Sequence, residues 1–197
     1  MVTGASSESK NMTDDSKDNI TIRFPSPDSA NDTSLTSTLA TIVNTVYHWA
    51  ESDIFLPSYQ RTSAEEIAQL LCSGHLAVAY LNSTDDPVGC VLIKLLSPER
   101  GDLGMLALNE QHRGSGLGRK MVLFAEDECR RRECTIMQLE LIAPTTFRHA
   151  GKERMEGWYN RMGYSIVKLG SFNDEYPELG KILLGPVEYK IFEKSLV

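Results

Sequence analysis

The stretch Arg113-Gly114-Ser115-Gly116-Leu117-Gly118-Arg119 constrains this chain more than any other. It follows an apolar run, Leu103 to Leu108. It opens a segment, Gly116 to Arg132, whose apolar positions Met121, Val122, Phe124 and Ala125 recur at helical spacing. A strand, a glycine turn and a helix in that order make an anion-binding device. The N–H groups of the turn have no partner inside the helix, and the helix dipole adds partial positive charge there. Glycines let a phosphate approach that backbone closely. The pattern predicts a phosphate-bearing ligand at this turn.

The totals narrow the class. A chain of 197 residues, 41% hydrophobic and 24% charged, suits one soluble globular domain with a real core. The formal net charge of −7 argues against non-specific nucleic-acid binding, which needs a basic surface. An acidic surface favours a cationic small substrate through its long-range field, and equally serves solubility alone. No apolar run approaches the roughly 20 residues that span a bilayer, so no membrane partner is expected. Met1 to Asp18 is rich in Ser, Asp and Lys and lacks an apolar core. It reads as a disordered tail rather than a secretory signal. A cytoplasmic location is expected, with the nucleus left open. The four cysteines (Cys72, Cys90, Cys129, Cys134) form no C-x-x-C pair, so reduced thiols and no metal site are expected. The N-x-Ser/Thr matches at Asn11, Asn19, Asn31 and Asn82 read as chance without a secretory signal.

Along the chain, Asn19 to Phe24 alternates and reads as a first strand. Pro25 to Thr36 is a polar loop. Leu39 to Ile54 carries Ile42, Val43, Val46, Trp49 and Ala50 on one helical stripe. Ser63 and Glu66 form a capping-box pattern before Ile67, Leu70 and Leu71, and that helix ends at Gly74. His75 to Leu81 and Val88 to Leu96 are strands joined by the Asn82–Pro87 turn. Asp102 to Leu108 is a strand, and Gly116 to Arg132 is a long helix whose basic last turn suits its C-terminus. Thr135 to Ile142 is a strand, Lys152 to Met162 a helix with Gly163 beyond it, and Tyr164 to Leu169 and Val187 to Phe192 are strands. The order β-α-α-β-β-β-α-β-α-β-β has no internal repeat. It predicts one α/β domain over residues 19–197, with a mixed sheet of about seven strands and helices on both faces.

The spacing of the glycines selects among phosphate loops. A P-loop needs G-x-x-x-x-G-K followed by Ser or Thr; here Lys120 precedes Met121 and no glycine sits at that spacing. A dinucleotide loop needs G-x-G-x-x-G after the first strand; here Gly114, Gly116 and Gly118 follow the fourth, after a meander. A third pattern, Arg or Gln followed by x-x-Gly-x-Gly/Ala, is met by Arg113, Gly116 and Gly118. It resembles the acetyl-CoA pyrophosphate loop of the GNAT superfamily of N-acetyltransferases. The run GDLGMLALNEQHRGSGLG is similar to the strand-4-to-helix-3 block of many members. Trp158-Tyr159-Asn160-Arg161-Met162-Gly163-Tyr164 resembles the family's later aromatic block. His149 and Lys152 ahead of Trp158-Tyr159 resemble, more narrowly, a group of fungal members.

The resemblance implies a GNAT fold and acetyl-CoA as acyl donor, with no metal. Backbone groups of Leu106, Ala107 and Leu108 are expected to bond the pantetheine arm, and the amides of Gly114, Ser115, Gly116, Leu117, Gly118 and Arg119 to hold the pyrophosphate. Arg113 shapes the loop, and Arg119 or Lys120 adds charge at its rim. Tyr159 matches the family's general acid toward the CoA sulfur. A backbone N–H near Leu106 is placed to polarise the thioester carbonyl. The family's strands 4 and 5 splay apart, and Glu140 on strand 5 is the first candidate for the base. Asp102 is the second, although a satisfied carboxylate at a strand end is the plainer reading of it. His149 and Lys152 are candidates for the acceptor pocket. His112, His48 and His75 read as ordinary surface or strand-start residues, and Cys90 and Cys134 as core. One departure stands out: where many members carry Asn after strand 5, this chain has Ala143-Pro144-Thr145-Thr146, with Thr145 or Thr146 as a substitute hydroxyl.

These readings predict an N-acetyltransferase acting on a primary amine by direct attack in a ternary complex, the amine being a small molecule. Two rivals remain: a weakly catalytic acyl-CoA-binding sensor or scaffold, and an enzyme acetylating protein lysines or N-termini. A peptide substrate needs an open groove, which the 25–36 loop and the 176–186 segment would decide. The oligomeric state is open, a homodimer being one form.

Overall fold

The computed structural model describes residues 20–197; the expected tail over residues 1–18, Asn11 and Asn19 lie outside them. The chain begins with strand β1 (Ile20–Arg23) and a 3₁₀ turn at Pro27–Asn31, followed by helices α1 (Thr33–Glu51) and α2 (Ala64–Cys72). Three strands follow, β2 (Leu76–Leu81), β3 (Pro87–Ser97) and β4 (Arg100–Leu108), then helix α3 (Leu117–Arg131), β5 (Ile136–Pro144) and α4 (Ala150–Arg161). After β6 (Ser165–Gly170) come two one-turn helices, α5 (Phe172–Glu175) and α6 (Pro177–Gly180), and the final strand β7 (Val187–Ser195).

Helix α1 begins six residues before the apolar stripe does. Asp32 caps it, its carboxylate accepting from the amides of Ser34 at 2.9 Å and Leu35 at 3.0 Å. That cap supports a first turn of Ser and Thr which periodicity alone reads as loop. The helix also stops at Glu51, and Ile54 and Phe55 are buried in the turn beyond it. Ser63 caps α2 as the pattern predicts, its hydroxyl accepting from Glu66 N at 3.2 Å. The reciprocal half of the box is missing, because the Glu66 carboxylate accepts from the Thr62 hydroxyl at 2.8 Å instead.

The seven strands form one sheet in the order β1-β2-β3-β4-β5-β7-β6. Among the described strands only the central pair, β4 and β5, is parallel. Helices α3 and α4 pack on one face, where Leu103, Met121, Val122, Ala125, Met137, Leu139, Leu141 and Phe192 form the larger core. Helices α1 and α2 pack on the other, with Leu39, Val43, Ile67 and Leu71 against Val78, Cys90, Leu92, Met105 and Ala107.

A bulge in β4 decides which side chains face which helices. The register against β3 slips between Cys90 and Leu92, and Met105 takes a positive φ of 46°. The extra residue reverses the alternation. Leu103 faces α3, yet Met105, two residues on, faces α1 and α2. Asp102, next to Leu103 on the pleat, therefore stands on the α1 face.

Candidate active site

The glycine turn has the geometry expected of an anion cradle. Gly114 and Gly116 take φ of 75° and 85°, with open space beside both. This left-handed backbone suits glycine, and a side chain there would add strain. Gly116 precedes α3 without offering a side-chain cap. The Ser115 hydroxyl pins the turn by donating to His112 O at 2.7 Å and accepting from Leu117 N at 3.3 Å. Among the described residues, the amides of Gly114, Ser115, Gly116, Gly118 and Arg119 have no protein acceptor. Leu117 is the exception, since its amide is satisfied by Ser115. A cluster of free donors at the N-terminus of a 15-residue helix fits a pyrophosphate group.

The neighbours of this turn come from distant parts of the chain. The Arg113 guanidinium lies 4.5 Å from the centroid of Trp49, at the end of α1. Trp49 is 64% exposed, so it leaves the buried stripe that its spacing suggests and packs over the turn instead. On the other side, a Cβ on Gly118 would come within 3.5 Å of Leu108 and 3.9 Å of Trp158, which brings α4 against the start of α3.

Strands β4 and β5 pair only from Arg100–Ile136 to Leu103–Leu139. Beyond that point they part, and among the described residues the β4 edge from Gly104 to Leu108 has no strand partner on the β5 side. Free backbone groups along Leu106, Ala107 and Leu108 can therefore accept an added, strand-like ligand. The side chain of Tyr159 is buried against Trp158, Tyr164 and Phe192. Its hydroxyl has no hydrogen-bond partner among the described residues. Burial raises the pKa of this phenol well above its ordinary value, so it is a protonated donor at neutral pH.

On the α1 face, two carboxylates flank the parting of the strands. Asp102 pairs across the strands with Gln138, and Glu140 is the next residue on that face of β5. Glu140 is held: Tyr176 donates to its Oε2 at 2.7 Å, and Tyr189 lies beside it. Asp102 is not. Its Oδ1 is buried with no hydrogen-bond partner among the described residues. Burial first, and the Glu140 charge second, raise its pKa to about 7, while Lys94 opposes the shift. The plainer sequence reading of Asp102 as a satisfied strand-end carboxylate is thus corrected. An unpaired carboxyl poised near neutrality is suited to accept a proton, whereas Glu140 is committed to a phenol.

The remaining candidates take supporting positions. His149 caps α4, its Nδ1 accepting from Lys152 N at 3.2 Å while Nε2 lies 3.2 Å from Asp53. Lys152, 3% exposed, forms a buried ion pair with Glu51 at 2.6 Å. This contact between α1 and α4 gave no signal in the sequence, because its partners lie 101 positions apart. His149 and Lys152 border a cavity of about 300 Å³ lined also by Trp49, Met155 and Trp158. Thr145 donates to Pro186 O at 3.2 Å, so its hydroxyl secures a loop. Among the described residues, no group of three or more His, Cys, Asp or Glu is disposed to hold a metal ion. No helix among them is long and apolar enough to cross a membrane.

Residues 43–164 match the family model described as the acetyltransferase (GNAT) family. The chain belongs to the GNAT family. One curated relative, N-alpha-acetyltransferase 30 of Saccharomyces cerevisiae, is 37% identical over 72 residues. That match covers 34% of this chain and 40% of the relative, well short of two thirds of its length. Three solved structures share the architecture. A chain of the NatC complex bound to Gag peptide and CoA superposes with a TM-score of 0.61 at 18% identity, covering 90% of this chain and 99% of that one. Ard1 from Thermoplasma volcanium gives 0.60 at 16%, covering 90% and 98%. Aminoglycoside 6'-acetyltransferase type Ii gives 0.59 at 17%, covering 90% and 97%. At these identities the likeness is one of fold.

Proposed function

We propose that this GNAT protein transfers an acetyl group from acetyl-CoA to a small primary amine by direct attack in a ternary complex. The observation that carries the reading is the unpartnered Asp102 carboxylate, standing where β4 and β5 part, across the sheet from the α3 pyrophosphate turn. Bound acetyl-CoA supplies the thioester carbonyl that the amine attacks and the thiol that leaves. The amides of Gly114 to Gly116, Gly118 and Arg119 hold the pyrophosphate, and the free edge of β4 around Leu106 orients the arm and offers an N–H to the carbonyl oxygen. Asp102 takes the proton of the attacking amine. Tyr159, uncharged and on the α4 side, holds a proton for the departing sulfur. Glu140, fixed by Tyr176, adds negative charge that favours an ammonium on this face.

A second reading, acetylation of protein N-termini, is favoured by the stretch similar to N-alpha-acetyltransferase 30. The narrower fungal grouping rests on the spacing of His149, Lys152 and Trp158-Tyr159 alone. The deciding measurement follows CoA-thiol release with acetyl-CoA and a broad amine panel. Thiol release that depends on an amine supports the proposal. Acetyl-CoA binding without thiol release from any amine would leave a binding protein only.

A further inference from the structure

Lys94 and Asp102 face each other across the ladder between β3 and β4. They are direct partners in its antiparallel register. Leu92, two residues before Lys94, packs toward α1 and α2, so Lys94 stands on the same face of the sheet as Asp102. Opposed residues of an antiparallel pair hold their Cβ atoms about 4.5–5.5 Å apart, within easy reach of a lysine side chain.

The other charges around Asp102 are committed elsewhere or unfavourable to a carboxylate. Arg100, two residues earlier on that face of β4, is bound to Glu193 of β7. Gln138 on β5 lies between Asp102 and Glu193 in the same row and is uncharged. Glu140, further along β5, is held by Tyr176, and Tyr189 of β7 lies beside it. Helix α1, which packs on β3 and β4, brings Tyr47, His48 and Glu51, and Glu51 is paired with Lys152 of α4. Lys94 is exposed and takes part in no ion pair among the described residues. Burial and the Glu140 charge both favour the neutral carboxyl of Asp102, a form that cannot accept a proton. An uncommitted ammonium directly opposite favours the carboxylate. We infer that Lys94 is a positioning residue that acts through Asp102, its ammonium keeping that carboxyl ionised to receive the proton of the attacking amine. The inference rests on the acetyltransferase reading above.

The test follows kcat/KM against pH for acetyl transfer to one amine, using the full chain, its Lys94→Met, Lys94→Arg and Lys94→Glu variants, and Asp102→Asn. In Lys94→Met the acid limb is expected to move up by roughly 0.5–1 pH unit, so that kcat/KM below the limb falls about 3- to 10-fold while the plateau above it is kept. Lys94→Glu is expected to move the limb further, and Lys94→Arg to restore it. In about 1 M salt, where the Debye length is about 3 Å, the difference between the parent and Lys94→Met is expected to shrink. If Asp102→Asn removes the limb but Lys94→Met leaves it where the parent has it, the inference is overturned and Asp102 stands as the base. Equal shifts in Lys94→Arg and Lys94→Met would also overturn it, because the effect would then follow the packing of the stem rather than the charge. A limb that persists in Asp102→Asn would remove Asp102 as the base and this inference with it. Thiol release from no amine would overturn the acetyltransferase reading and both assignments.

Discussion

Asp102 and Glu140 share one face of the sheet on either side of the point where β4 and β5 part, yet among the described residues only Glu140 has a hydrogen-bond donor. The pKa of Asp102 rises from 3.8 to about 7. As a proton acceptor it must be ionised, so kcat/KM should fall as pH drops through about 7. Asp102→Asn should remove that limb and lower kcat by on the order of 10²- to 10⁴-fold. A pH–rate profile of both proteins checks this, and an unchanged limb in Asp102→Asn would assign it to another group.

The same shift has a sign for stability. A carboxyl whose pKa is raised on folding costs no stability below its unfolded value of 3.8, and stability is lost as pH rises from there to about 7. Asp102→Asn should therefore be more stable than the parent at pH 8, by roughly 2–4 kcal/mol, with the gain shrinking toward pH 5. Urea melts at the two pH values measure it. Equal stability at pH 8 would mean that Asp102 is solvated.

Tyr159 is buried on α4 with a free hydroxyl. Tyr159→Phe keeps the ring packing against Tyr164 and Phe192 and deletes only the proton. We expect kcat to fall by about 100-fold while KM for acetyl-CoA changes little. Steady-state kinetics separate the two, and undiminished turnover would remove Tyr159 from the reaction.

Trp49 and Arg113 join α1 to the pyrophosphate turn. An exposed cation–π contact is worth about 0.5–1 kcal/mol, so Trp49→Ala should raise KM for acetyl-CoA by roughly 2- to 5-fold with kcat kept. Gly116→Val places a side chain at φ of 85° and should weaken cofactor binding more strongly. Calorimetric titration with CoA ranks the two.

Lys152 and Glu51 form a nearly fully buried ion pair. Lys152→Met leaves the Glu51 carboxylate buried without its counter-charge and should cost about 3–5 kcal/mol. Glu51→Leu with Lys152→Met should recover most of that, because removing both charges removes the unpaired one. Thermal denaturation of single and double variants tests this; an uncorrected double variant would show that the pair also positions α4.

Local chemistry made much of the molecule legible. The turn from Arg113 to Arg119 is readable because spacing, the flanking strand and the following helix lie in one stretch of chain, and its glycines answer local backbone demands. The order of the seven strands and four longer helices follows equally from periodicity over neighbouring residues, whereas the one-turn helices α5 and α6 are too short to show a period. Trp49 shows the limit of that method: its position on the helical stripe suggests burial, but its packing partner, Arg113, lies 64 residues away. The isolated bridge between Phe55 and Leu183 escapes sequence reading because it consists of backbone hydrogen bonds between residues 54–56 and 182–184, which any side chains could make.

The division follows the range of the forces involved. By itself the sequence determined the order of the seven strands and four longer helices, the phosphate turn and the aromatic pair Trp158-Tyr159, all products of short-range propensity, capping and hydrophobic period. Only the tertiary structure decided that the β4 bulge at Met105 sets which neighbours face which helices, that Glu140 is held by Tyr176, and that Oδ1 of Asp102 is buried with no partner among the described residues. A carboxyl's charge state depends on how much water and which charges surround it, and that environment is assembled from strands and loops far apart in the chain.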